Sequence, residues 1–100
     1  MEEKKHAEIK IEIDEETSNG VYSNLAMISH SETEFILDFL FFQPQQNSKT
    51  KVRTRIITSP AHIKSLIAAL QENTAKYEAK YGVIKESAAR AGNSKPEYIN

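Results

Sequence analysis

The sequence predicts an α+β fold, a four-stranded antiparallel meander with one long C-terminal helix packed on one face. Residues 7–58 hold four apolar stretches separated by short polar connections, and consecutive strands with such connections usually pair. Beyond residue 60 the apolar spacing changes from two to three and four, the period of a helix. The stretch from Glu34 to Phe42 is apolar on both parities, which marks a central strand with neighbours on both sides.

The first strand is expected at residues 7–13. Ile9, Ile11 and Ile13 alternate there with Glu8, Lys10 and Glu12, as in a half-buried strand. Residues 14–20 read as a loop, with Asn19-Gly20 able to supply a positive φ. A second strand follows at 21–29, and His30-Ser31-Glu32-Thr33 has the length of a hairpin connection. The third strand is 34–42, closed by a polar loop with a proline stop at Pro44. The fourth, 51–58, is basic on odd positions and apolar or threonine on even ones. Ser59-Pro60 opens the helix, the serine as N-cap and the proline where its missing N–H costs nothing. Ile63, Leu66, Ile67, Leu70, Thr74, Tyr77 and Tyr81 then form one stripe, and Gly82 ends it.

The 100 residues make one domain, read as an arm (1–6), a folded unit (7–84) and a frayed tail (85–100) that folding does not need. Without cysteine the chain has no disulfide, thiolate nucleophile or zinc-finger site. The charged N-terminus and the lack of a long apolar run predict a cytoplasmic protein with no membrane contact. Charge is uneven along the chain. Residues 2–16 carry seven acidic and three basic side chains, whereas residues 49–55 carry four basic ones and no acidic one.

Pairing the third and fourth strands about their loop sets Leu37 against Ile56, Phe39 against Thr54 and Phe41 against Val52, with Tyr22, Ala26 and Ile28 on the same face. That face is the expected bed for the helix. The opposite face gathers Leu25, Met27, Ile36, Leu40, Phe42 and Ile57, too much apolar surface to leave wet. A second copy of the chain is the simplest cover, with another protein, or a face left mostly exposed after all, as the alternatives. Asp38 lies on that face. An ion pair with Arg55, or with Arg53 in a slipped register, is the plainest account of it, ahead of an interface carboxylate or a catalytic acid.

Motifs for chemistry are missing. His6, His30 and His62 lack metal-ligand spacing, there is no nucleophile elbow, P-loop or dinucleotide fingerprint, and no metal, cofactor or catalytic residue is expected. The helix start beside Arg53 and Arg55 offers an anion site of the kind every helix start offers. Lys49, Lys51, Arg53 and Arg55 could contact nucleic acid, although no aromatic shares their strand and the overall charge is −1.

Several spaced blocks carry a resemblance: Val21-Tyr22-Ser23-Asn24-Leu25, His30-Ser31, Glu34 to Phe39, Arg55-Ile56-Ile57 with Ser59-Pro60, and Asn73 with Tyr77-Glu78 and Tyr81-Gly82. Over about residues 7–84 the chain resembles a family of small bacterial and archaeal proteins, the domain of unknown function numbered 3467. The resemblance implies a stand-alone domain of this size and brings no activity, cofactor or catalytic residue. Some relatives are encoded beside RNA polymerase subunit genes, which implies the transcription or translation machinery as a neighbourhood. The leading expectation is a non-enzymatic, homo-oligomeric interaction module presenting a sheet face or edge to a macromolecule. The alternatives are a nucleic-acid or transcription-associated binder using Lys49 to Arg55, and a small enzyme with a site near Asp38.

Overall fold

The computed structural model describes residues 8–44 and 49–86. In chain order its elements are α1 (Glu15–Ser18), β1 (Leu25–His30), β2 (Phe35–Leu40), β3 (Val52–Thr58) and α2 (Pro60–Tyr81). The three strands form one antiparallel sheet in the order β1-β2-β3, so β2 is central. Two-sided apolar residues on β2 demand this, since an edge would leave part of them in water. No helix among the described residues is long and apolar enough to cross a membrane.

The fold is α+β with three paired strands among the described residues, and the first of the four expected strands, at 7–13, is not formed over residues 8–13. Residues 8–14 have no regular structure, and Ile11 is 86% exposed with Ile9 and Ile13 also open. The alternation there is real, but a strand exists only when another strand takes its backbone hydrogen bonds. The expected loop at 14–20 instead contains one helical turn. Asp14 caps it, its Oδ1 accepting the Thr17 N–H at 3.1 Å, and Glu15 and Glu16 fall in the first turn where the helix dipole favours them. Gly20 follows at φ 78°, a left-handed conformation that glycine adopts without steric cost.

Within the sheet, Leu37 faces Ile56 and Phe39 faces Thr54. The next step departs from the expected register, because Val52 opposes Leu40 and not Phe41. Arg53 is the extra residue of a β-bulge. Its Nη1 donates to the Tyr22 carbonyl at 3.0 Å and its guanidinium lies 5.6 Å from the centre of the Phe41 ring. Tyr22 meets the same ring edge-on, centroids 5.4 Å apart. The bulge thus ties the segment before β1 to the chain leaving β2.

α2 starts and stops at the expected residues. Ser59 Oγ accepts the His62 N–H at 3.1 Å, Pro60 occupies the first turn, and Gly82 closes the helix at φ 105° with its N–H on the Glu78 carbonyl. Its packing differs from expectation. No residue of α2 is buried; Ile63 and Leu66 are half-buried, while Ile67, Leu70, Tyr77 and Tyr81 are exposed. Only the first turns of the stripe are sheltered within the chain. Of the predicted tail, 85–100, residues 87–100 lie outside the described residues, as does the predicted arm, 1–6.

Candidate functional site: the Asp38–Arg55 pin and the open apolar surfaces

The sheet is organised around a charge. Met27, Asp38 and Arg55 are Cα partners across the three strands. Asp38 is the most deeply buried side chain described, 1% exposed in the centre of an otherwise apolar strand. Arg55 grips it with both prongs: Nε donates to Oδ1 at 2.7 Å and Nη2 to Oδ2 at 2.9 Å. This two-point geometry fits a planar guanidinium to a planar carboxylate, so it fixes orientation as well as charge. The Arg55 side chain is 51% exposed, and the desolvation cost falls mainly on Asp38. No buried side-chain polar atom among the described residues lacks a partner. The geometry makes Asp38 a structural pin between β2 and β3.

The four basic residues do not form one free row. Arg55 is committed to Asp38 and Arg53 to the bulge, whereas Lys49 and Lys51 are exposed. A nucleic-acid surface built on Lys49 to Arg55 would have to share its two arginines with these structural roles. At the helix start, the Ser59 hydroxyl already takes the His62 N–H. No group of three or more His, Cys, Asp or Glu side chains among the described residues could hold a metal ion.

The six candidate interface residues separate on burial. Leu40 is sealed within the chain at 4% exposure, Leu25, Met27 and Ile36 are half-buried, and Phe42 and Ile57 are exposed, Ile57 at 54%. The centre of the expected contact is therefore already covered, and only its margin is open. Other apolar surface was missed in the sequence. Ile28 and Ile56 are exposed on the face expected to bed the helix, as are Ile67, Leu70, Tyr77 and Tyr81 along α2. Among the described residues, Leu37 and Leu40 are the only buried apolar side chains.

Two polar devices also escaped the sequence reading. The Asn24 side chain imitates a strand neighbour: its Nδ2 donates to the Phe42 carbonyl at 2.9 Å and its Oδ1 accepts the Phe42 N–H at 2.8 Å. Ser23 Oγ adds a bond to the Leu40 carbonyl at 2.8 Å. After α2, the Glu78 carboxylate accepts the Ile84 N–H at 2.9 Å and turns the chain beyond Gly82. Ser23-Asn24 and Glu78 both lie in the blocks that carry the family resemblance, which was the available signal.

Sheet, pin and helix together define a small α+β protein whose described apolar side chains are largely uncovered. The chain belongs to the family described as "Protein of unknown function (DUF3467)", whose model matches residues 1–86. Neither a curated protein nor a solved structure matches it.

Proposed function

We propose that this protein is a non-enzymatic, self-associating interaction module in which a second copy covers the apolar surface that one chain leaves open. One observation carries the reading: apart from Leu37 and Leu40 every apolar side chain described is at least partly exposed, including Ile28, Ile56 and Ile57 on the sheet and Leu70, Tyr77 and Tyr81 on the helix. At roughly 25 cal/mol for each Å² of apolar area removed from water, joining such surfaces is a strong drive to associate. Closed homo-oligomers are the commonest way to satisfy it.

The position of each surface selects the test. Leu40→Asp would strike the core and report on folding. Leu70→Glu changes an exposed residue in mid-helix and reports on assembly. Light scattering at tens of micromolar should find the wild-type chain as a dimer or larger, and Leu70→Glu should shift it toward monomer while circular dichroism keeps its helical signal. A wild-type monomer under these conditions ends the reading.

A further inference from the structure

We propose that residues 8–14 add as an antiparallel fourth strand to the outer edge of β3 in a second copy of the chain. The inference rests on the self-association proposed above and names the segment that makes it.

The segment has the form of a strand without a partner. Ile9, Ile11 and Ile13 alternate in sequence with Glu8, Lys10 and Glu12, and all six are exposed. Asp14 then enters the cap of α1, which fixes where the segment leaves the fold. Thr17, Gly20 and Val21, just beyond that cap, line a depression together with Phe39 of β2 and Thr54 and Ile56 of β3, which brings the root of the segment near these strands. Its isoleucines nevertheless do not dock on their own chain.

Among the described residues the sheet has two open edges, because β1 and β3 each pair only with β2. Charge distinguishes them. β1 is Leu-Ala-Met-Ile-Ser-His, with no acidic residue, lysine or arginine. Residues 49–55, leading into and along β3, carry Lys49, Lys51, Arg53 and Arg55 against no acid. Residues 8–16 carry Glu8, Glu12, Asp14, Glu15 and Glu16 against Lys10 alone. Two oppositely charged segments, one an unpaired strand and the other an unpaired edge, fit strand addition.

Charge also selects the direction. Setting Ile11 opposite Ile56 in antiparallel order places Ile13 by Thr54 and Glu12 by Arg55, extending the apolar row on one face and setting an acid beside a base on the other. The same match in parallel order sets Lys10 against Arg55, like against like, which is unfavourable.

The chain contains no cysteine, so an engineered pair reports without background. Ile11→Cys/Ile56→Cys should oxidise to a covalent dimer on a non-reducing gel, as cross-strand neighbours meet disulfide geometry. A disulfide closed within one chain, or none, overturns the strand exchange. In parallel, Ile9→Ser/Ile11→Ser/Ile13→Ser alters only exposed side chains and should weaken association at least about tenfold by sedimentation. Unchanged association in that variant overturns the role of the segment and leaves self-association standing. A wild-type monomer removes both.

Discussion

Residues 8–14 and β2 look alike in sequence and end in opposite states. Both are rich in β-branched or aromatic apolar residues, and both contain charges. β2 has a neighbour on each side and buries Leu37, Asp38 and Leu40; the N-terminal segment has no neighbour and exposes all three isoleucines. The difference teaches that periodicity encodes which side chains share a face, whereas pairing needs a second backbone within reach. β2 receives β1 through a short hairpin, with the Ser31 N–H on the Glu34 carbonyl at 2.9 Å. Between residue 14 and β1 the chain instead spends ten residues on a capped turn and the Ser23-Asn24 anchor, and no short hairpin joins the segment to β1.

The contrast can be broken most sharply at the pin. Arg55→Ala leaves the buried Asp38 carboxylate without its fork and should destabilise by about 3 kcal/mol in urea denaturation. Removing both charges, as Asp38→Leu/Arg55→Met, should recover most of that loss, because no charge then stays buried without a partner. A smaller effect sharpens the comparison directly. Leu37→Ala should cost about 2–3 kcal/mol as a buried leucine truncation, while Ile11→Ala should leave the thermal midpoint of the dilute chain unchanged. Comparable losses at both positions would show the segment docked within its own chain.

Two weaker effects concern ends of elements. Ser59→Ala removes the acceptor for the His62 N–H and should cost about 1 kcal/mol, and Ser59→Asp should retain the cap. Asn24→Ala should unpair Phe42 and raise hydrogen exchange at its amide, with little change elsewhere in β2. The smallest effect is at Asp14, whose carboxyl is held below its ordinary value by hydrogen bonds from Thr17, the side-chain bond first and the backbone bond next. A lowered folded-state value means that the cap's contribution is present above the unfolded value of 3.8 and is lost as pH falls through the lower folded one. The Thr17 amide resonance, followed from neutral pH downward, should therefore titrate with a midpoint below 3.8.

What could be read from the sequence was whatever local chemistry fixes. Ser59-Pro60 and Gly82 bound a helix because a hydroxyl, a missing N–H and a missing Cβ act within one turn, and α2 runs from Pro60 to Tyr81 between them. The two-sided apolar run at 34–42 predicted the central strand, and an ion pair with Arg55 or Arg53 was the plainest account of Asp38 within it. Other features were not legible because they depend on residues far apart in sequence. The bulge at Arg53 exists because Tyr22 and Phe41 meet beside it, and the Asn24 amide matters because the Phe42 backbone ends within its reach.

By itself, then, the sequence determined the class of fold, the long helix, the central strand and the partition of each strand into two faces. These follow from periodicity and from caps that act over three or four residues. The tertiary structure alone decided that, among the described residues, three strands pair and not four, that Leu40 lies inside while Ile28 and Ile56 lie outside, and that most of the helical stripe is exposed. Those outcomes depend on where distant backbones come to rest, and a side-chain pattern carries no record of that distance.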